Sequence, residues 1–298
     1  MAKVDSIERS QLKWGYIFIA PCIFGLVVFN FGPMLFSLVM SFMEWDMITA
    51  PKFFGAGNYA AMFKEPLFSK SLSVTLYYAL LSVPLINIST FLIANLLNTG
   101  IKGISVFRTI FYIPSIVPAV AASALWMYIF DPMFGLLNSI LTGIGLPPQA
   151  FIYSEGGVVP GLALMSAWAA GNTVVIYLAG LQGLSKELYE AADLDGASVP
   201  QRFFRITVPL MSPIIFFNVI MAIITSMQTF TQAYIMTNGG PNNASLFYSL
   251  LLYRTAFHFQ RMGYASALSW VLFIIIAVFT LLMFRSSNRW VFYENKKD

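Results

Sequence analysis

Long uncharged hydrophobic runs alternate with short polar segments along this chain of 298 residues. The runs without Asp, Glu, Lys or Arg are residues 14–43, 71–101, 109–130, 156–185, 206–253 and 262–284. A helix needs about 20 mostly apolar residues to cross the hydrocarbon core of a bilayer. Each run is long enough, so the pattern predicts an all-α integral membrane protein with six transmembrane helices.

The fifth run is long enough for two spans, but a turn-forming cluster interrupts it at residues 237–243. The part after the cluster is too short to cross a membrane. We therefore predict one span over residues 207–235, then an outer loop and an interfacial segment that carries Phe247, Tyr248 and Tyr253. The other predicted helices are spans at residues 14–43, 71–97, 107–130, 158–182 and 262–284, and a short interfacial helix at 135–144.

Lysine and arginine are distributed unevenly between the two sides of this predicted domain. If the N-terminus is cytoplasmic, twelve of the 17 basic residues fall in inner segments and five in outer ones. The positive-inside rule therefore places both termini in the cytoplasm. The predicted organisation is a cytoplasmic tail (1–13), a six-helix transmembrane domain (14–285) with a cytoplasmic loop at 184–206, and a second cytoplasmic tail (286–298).

The inner loop before the fifth span is the longest polar interruption, and it is acidic. Residues 187–213 hold four of the thirteen acidic residues of the chain, namely Glu187, Glu190, Asp193 and Asp195. Amphipathic helices that lie on lipid headgroups are usually rich in Lys and Arg. The acidic first half therefore favours a protein partner with basic residues over the alternative of a loop that rests on the membrane surface.

Local signals in this loop predict two short helices joined by a tight turn. Ser185 can cap the first helix, and Gly196 can accept the left-handed backbone conformation that ends it. Ser198 can cap the second helix, and Pro209 and Pro213 mark the start of the fifth span. The predicted loop is thus a compact helix–turn–helix.

Several kinds of chemistry are missing from the sequence. It has no G-x-x-x-x-G-K-[ST] motif for a nucleotide phosphate, and His258 is its only histidine. The six hydrophobic runs carry no Asp, Glu, Lys or Arg, whereas ion-coupled carriers usually keep such ionisable groups in the membrane. We predict no catalytic residue, no metal site and no cofactor, and no means of coupling to ATP or protons within this chain.

The acidic loop resembles a known motif. Glu190-Ala191-Ala192-Asp193-Leu194-Asp195-Gly196-Ala197, with Phe204, Ile206, Pro209 and Pro213 after it, resembles the EAA loop of ATP-binding-cassette (ABC) importer permeases of the type I, MetI-like fold. The segments 236–241 and 262–267 resemble the MalF-type branch of carbohydrate permeases. The resemblance covers nearly the whole chain.

The resemblance implies a mechanism and a set of partners. In that family the loop inserts a coupling helix into a cytoplasmic ABC ATPase, whose closure reorients the membrane cavity. The implied coupling residues are Glu190, Ala191, Ala192, Asp195, Gly196 and Ala197. The implied partners in a bacterial plasma membrane are a homologous MalG-like second permease, two ATPase subunits, an extracytoplasmic binding protein and a sugar, with no nucleic acid.

Neutral polar residues in spans 4 and 5 predict where the solute passes. Thr225, Gln228, Thr229 and Gln232 recur at the spacing of one helical face, and span 4 adds Trp168 and Asn172. Hydrogen-bonding groups beside an aromatic ring suit the hydroxyls and the C–H face of a sugar. The alternative for any one residue is an interhelical hydrogen bond, worth about 0.6 kcal/mol on average.

Two other functions compete with a sugar-importer subunit. A stand-alone secondary carrier or channel for a neutral solute is disfavoured by the charge-free spans, and a membrane enzyme by the lack of a His, Cys or carboxylate cluster in them. The sequence leaves open which sugar is carried, how long it is, and whether a polyol phosphate takes its place.

Overall fold

The computed structural model describes residues 2–292, with side chains from residue 10 onward, and it is almost entirely helical. In chain order the helices are α1 (Ala2–Leu26), α2 (Gly32–Ser41), α3 (Gly57–Met62), α4 (Pro66–Leu97), α5 (Ile104–Ile116), α6 (Ala119–Ile129), α7 (Leu136–Gly143), α8 (Val158–Trp168), α9 (Gly171–Gln182), α10 (Lys186–Leu194), α11 (Val199–Arg202), α12 (Val208–Met227), α13 (Tyr248–Tyr253) and α14 (Met262–Ser287). A two-residue antiparallel ladder joins β1 (Met43–Glu44) to β2 (Lys52–Phe53).

Within the described part of the chain, four continuous helices are long and apolar enough to cross a membrane: Ser10–Ser41, Pro66–Leu97, Val199–Met227 and Met262–Ser287. Two helix pairs pass the same test as bent spans, α5 with α6 at 103° and α8 with α9 at 49°. Counting each bent pair as one span gives the six predicted. A short helix is also present where one was predicted at residues 135–144, as α7.

The third span, predicted over residues 107–130, and the fourth, predicted over residues 158–182, are each broken by a bend. The chain turns sharply at Val117, which is extended (ψ 127°), because the following proline disfavours a helical conformation in the residue before it. In the fourth span the break falls at Ala169 and Ala170, directly before Gly171. A side chain on Gly171 would put its Cβ 2.6 Å from the carbonyl oxygen of Phe111, so the glycine lets α9 lie against α5.

The prediction for the fifth span is wrong at both ends. The second short helix of the loop is the first turn of one helix that runs from Val199 to Met227, with a π-helical turn at Phe203–Thr207. This wider turn directly precedes Pro209, which has no N–H to donate to the preceding turn. The helix then ends at Met227, whereas the prediction continued it to residue 235.

The segment after the outer turn is not interfacial, which corrects a further prediction. Phe247 and Tyr248 are both 0% exposed. The Tyr248 N–H donates to Thr75 Oγ1 at 2.9 Å, and the Phe247 ring lies 5.0 Å from that of Tyr78 on α4. These aromatic side chains are packed inside protein because α4 supplies both an apolar ring and a hydroxyl acceptor.

The chain divides into two compact units, Met1–Lys64 with Leu252–Val271, and Glu65–Leu251 with Leu272–Asp298. In the first, the Gly263 N–H donates to the Trp45 carbonyl at 3.1 Å. In the second, α4 packs against α8, α9 and α12. A core cluster of Phe91, Ala94, Leu97, Val174, Tyr177, Leu178, Leu181 and Met211 holds α4, α9 and α12 together.

Candidate solute cavity and coupling loop

A cavity of about 530 Å³ lies within the second unit, between α4, the α8–α9 bend and α12. This volume is in the range of about 300–1,000 Å³ that is usual for small-molecule sites. Its lining side chains are neutral, and no Asp, Glu, Lys, Arg or His is among the described residues that line it. Hydroxyl and amide groups alternate there with apolar ones, which suits a solute with both hydroxyl and C–H surfaces.

Two helix breaks of this unit open onto the cavity. Ala169 and Ala170 line it at the α8–α9 bend, and Gln228 to Phe230 line it just after α12. Non-helical backbone at membrane depth is tolerated where it is buried in protein or borders a water-filled cavity, because its polar groups need partners. The two breaks therefore mark this cavity as the polar region of the membrane domain.

The cavity brings together most of the side chains that the sequence singled out. Asn172, Thr225, Gln228, Thr229 and Gln232 all line it, whereas Trp168 does not. The Trp168 ring instead packs edge to face against Trp126 at 5.7 Å. The premise of one continuous helical face is wrong, since only Thr225 lies within α12 and the other three residues of the stripe follow its end.

Sequence reasoning missed the contribution of α4, which brings Tyr78 and Ser82 to the cavity. It also missed Ser166 on α8 and Asn218 on α12. The hydroxyls of Tyr78 and Ser166 share a hydrogen bond of 2.7 Å across the two helices. Tyr78 and Ser82 lie one helical turn apart, but the same run holds several other Ser, Thr, Tyr and Asn residues, so this spacing alone did not single them out.

The acidic loop has a defined shape. Its first helix, α10, ends at Leu194, Asp195 is the C-cap residue, and Gly196 follows with φ +72°. The Ala197 N–H donates to the Ala192 carbonyl at 2.9 Å and the Gly196 N–H to the Asp193 carbonyl at 3.1 Å, which together form a Schellman motif. The predicted glycine turn is thus confirmed.

The predicted serine caps have different outcomes. Ser185 occupies the N-cap position of α10 with extended backbone, but its side chain makes no capping hydrogen bond. Ser198 begins the next helix, and its N–H donates to Gln201 Oε1 at 2.7 Å. This bond is one half of a capping box.

One side of the loop is tied to the membrane domain. Phe203 packs its ring 5.7 Å from that of Phe91 in the core, and Tyr189 shares a hydroxyl hydrogen bond of 2.8 Å with Thr207. The Arg202 guanidinium forms an ion pair with Asp193. These contacts hold α10 against the start of the long helix.

The opposite side of the loop is open to solvent. Glu190 and Ala191 are exposed, as are Asp195 and Gly196, while Ala197 is half-buried and Ala192 is only 9% exposed. Leu194 is 90% exposed and Phe204 69%. An acidic surface with exposed apolar side chains is a feature of protein–protein contact sites.

The loop connects two walls of the cavity directly. It follows α9, which carries Asn172, and it leads into the helix that carries Asn218 and Thr225. Because a helix rises about 1.5 Å per residue, the 27 residues from Val199 to Thr225 form a rod of about 40 Å. A continuous helix therefore joins the loop to the cavity.

The chain was compared with protein families and with known proteins. Residues 54–291 match the family described as binding-protein-dependent transport system inner membrane component. The chain is 41% identical over 303 residues to the probable ABC transporter permease protein YesP of Bacillus subtilis, covering 100% of this chain and 97% of that one. It is 32% identical to the lactose transport system permease protein LacF of Rhizobium radiobacter, covering 95% and 97%.

A solved structure confirms the fold. A chain from the crystal structure of a bacterial ABC transporter involved in the import of the acidic polysaccharide alginate superposes with a TM-score of 0.81 at 23% identity, covering 97% of this chain and 99% of that one. Together with the family match, this similarity establishes the type I, MetI-like architecture that the loop motif implied. The chain therefore belongs to the family of inner membrane components of binding-protein-dependent transport systems.

Proposed function

We propose that the chain is the transmembrane permease subunit of an ATP-driven ABC importer that takes up a saccharide delivered by an extracytoplasmic binding protein. The observation that carries the proposal is the direct connection of the exposed acidic loop to two helices that line a neutral polar cavity. Through this arrangement, the binding and movement of a soluble protein at the loop can change the shape of the solute site inside the membrane domain.

The composition of the cavity supports a neutral saccharide. Its amide and hydroxyl side chains can exchange hydrogen bonds with sugar hydroxyls, and its apolar residues, such as Phe217 and Phe230, can face C–H surfaces. The name of the LacF relative refers to lactose, a neutral sugar. An acidic sugar or a polyol phosphate would leave its charge unpaired beside this lining, at a high desolvation cost.

In this proposal the acidic loop is the contact with the ATPase. Glu190 meets a basic group of the ATPase, Ala191 lets that surface approach closely, and Asp195, Gly196 and Ala197 keep the turn in shape. Ala192, which is nearly buried, packs the coupling helix against its own chain. The exposed Leu194 adds an apolar contact that the sequence motif did not single out.

The partners and the orientation follow from the same proposal. A MalG-like second permease forms a heterodimer with this chain, and two cytoplasmic ATPase subunits hydrolyse the ATP, since the chain has no phosphate-binding motif of its own. Both termini and the loop at 184–206 face the cytoplasm, with the membrane domain at 14–285 and tails at 1–13 and 286–298. The last six residues of the second tail lie outside the described part of the chain.

Reconstitution into liposomes tests this function. The chain, the second permease, the two ATPases and the binding protein are reconstituted, and uptake of radiolabelled lactose, maltose, trehalose and glucuronate oligomers is measured. We expect ATP-dependent uptake of a neutral saccharide only when all components are present. Uptake by the chain alone would instead establish a stand-alone carrier or channel, and uptake of only the acidic oligomers would contradict the neutral cavity.

Substitution of a cavity amide tests the solute site. We expect Gln228→Leu to raise the KM for the transported saccharide about threefold to tenfold, because a net hydrogen bond contributes about 0.5–1.5 kcal/mol. The exposed Gln182, at the end of α9 and outside the cavity lining, provides the matched control Gln182→Leu, which should leave KM unchanged. Equal KM values for both variants and the wild type would remove Gln228 from the site.

A further inference from the structure

The serines of α4 differ in how their hydroxyls are satisfied. Ser69, Ser71, Ser73 and Ser89 each donate to a carbonyl three or four residues earlier in the same helix. Ser82 donates to no carbonyl of the helix, and its fully buried hydroxyl makes no hydrogen bond of regular geometry to a described residue and interacts only with the hydroxyl of Tyr78. It is thus the exception within one helix, where the usual backbone acceptors are available to all of them.

Ser82 lies at the solute cavity. It is one of the lining residues, and its hydroxyl is near the hydroxyl of Tyr78, one helical turn earlier. A buried hydroxyl without a good hydrogen bond is unfavourable in proteins, because it has lost its bonds to water. Such a group in a native structure calls for a reason, of which a bound solute or an ordered water is one.

Tyr78 is held rigidly beside it. Its side chain is 3% exposed, and its hydroxyl bonds to Ser166 at 2.7 Å. Its ring rests edge to face on Phe247 at 5.0 Å, and the next residue, Tyr248, is fastened to Thr75 of the same helix by the 2.9 Å bond from its N–H. Recognition groups are most effective when packing and hydrogen bonds fix their rotamers in this way.

We propose that Tyr78 and Ser82 of α4 form a third recognition wall of the cavity, in which the Ser82 hydroxyl exchanges a hydrogen bond with a hydroxyl of the transported saccharide. This inference rests on the proposed function. A serine hydroxyl both donates and accepts, so it matches a sugar hydroxyl in either orientation. The fixed phenol of Tyr78 bounds the site on the side of Phe247 and limits the length of the solute there.

Cysteine accessibility tests whether Ser82 borders an aqueous cavity. Cys22 is the only cysteine, so Cys22→Ser provides a thiol-free chain. On that background, Ser82→Cys in the complete transporter is expected to react with a positively charged methanethiosulfonate reagent. Ser71→Cys is the matched control, since Ser71 is on the same helix, is equally buried at 0% exposure and is outside the cavity lining. Equal reactivity of the two thiols would overturn the proposal.

Transport kinetics then test the contact with the saccharide. With whichever of lactose, maltose or trehalose the wild type imports, Ser82→Ala is expected to raise KM about threefold to tenfold with kcat unchanged, and Ser71→Ala to leave both unchanged. The same saccharide should slow the labelling of Ser82→Cys. If the wild type imports the saccharide, but Ser82→Ala leaves KM unchanged and the saccharide does not slow labelling of Ser82→Cys, the inference about Ser82 is wrong and the proposed function still stands. If the wild type imports none of them, the proposed function fails, and the saccharide assignment of Ser82 fails with it.

Discussion

Replacement of Glu190 by lysine is expected to lower ATP-dependent uptake by at least about tenfold, because loss of one partner of a desolvated charge pair at an interface costs about 2–5 kcal/mol. Glu190 is exposed on α10 and has no ion-pair partner among the described residues, so its carboxylate is available to a basic group of the ATPase. A lysine there would place two cations in contact. Because Glu190 makes no contact with the core cluster, the fold of the membrane domain should remain intact.

The measurements are saccharide uptake, ATP hydrolysis stimulated by the loaded binding protein, and co-purification of the ATPase. Glu187→Lys is the matched control, since it makes the same charge change one turn earlier on the same exposed helix. It alters a favourable interaction with the helix dipole by only about 0.3–1 kcal/mol. Uptake should fall much less in this control than with Glu190→Lys, because Glu187 lies outside the motif. Normal uptake by the Glu190→Lys transporter would refute the coupling role of this loop.

The second large effect is expected from Gly171→Ala, a change of one methyl group. The new Cβ would lie 2.6 Å from the Phe111 carbonyl oxygen and 3.0 Å from the Tyr112 Cα, both of which are backbone atoms of α5. Backbone cannot swing aside as a side chain can, so α9 must move away from α5. Overpacking of this kind typically costs about 1–3 kcal/mol. The shift also displaces the adjacent Asn172, so uptake should fall together with stability.

Thermal unfolding of the detergent-solubilised transporter and saccharide uptake measure these two consequences. Gly143→Ala is the control, because Gly143 is the last residue of α7 and a Cβ there meets no atom within 4 Å. Alanine is the better helix former, so the control should keep or slightly raise the Tm. A Gly171→Ala transporter with wild-type Tm and uptake would show that α5 and α9 do not need this close approach.

Short-range sequence patterns were sufficient to predict the membrane-spanning segments and the acidic loop. The spans were readable because a bilayer sets the length of an apolar run, and the turn at Gly196 because its φ of +72° strongly favours glycine. The motif around Glu190 was readable for the same reason, since a Schellman turn and an exposed helix are formed by neighbours in sequence. These features need no distant partner.

Hydropathy could not distinguish the burial of Phe247 and Tyr248 from exposure to lipid. An aromatic side chain is equally favourable at the membrane interface and inside the protein. These two residues are buried because they pack against α4, which is more than 160 residues away in sequence and whose Thr75 accepts a hydrogen bond from the Tyr248 N–H. Only the tertiary structure joins these segments.

The sequence by itself determined the six apolar spans, the exposed acidic loop and five of the polar residues of the cavity. Only the tertiary structure decided that the third and fourth spans bend, that the fifth begins in the loop and ends at Met227, and that Tyr78 and Ser82 of α4 complete the cavity. The physical reason is that hydrophobic patterns and turn propensity depend on near neighbours in sequence. A cavity, in contrast, forms where helices far apart in sequence pack together without filling the space between them.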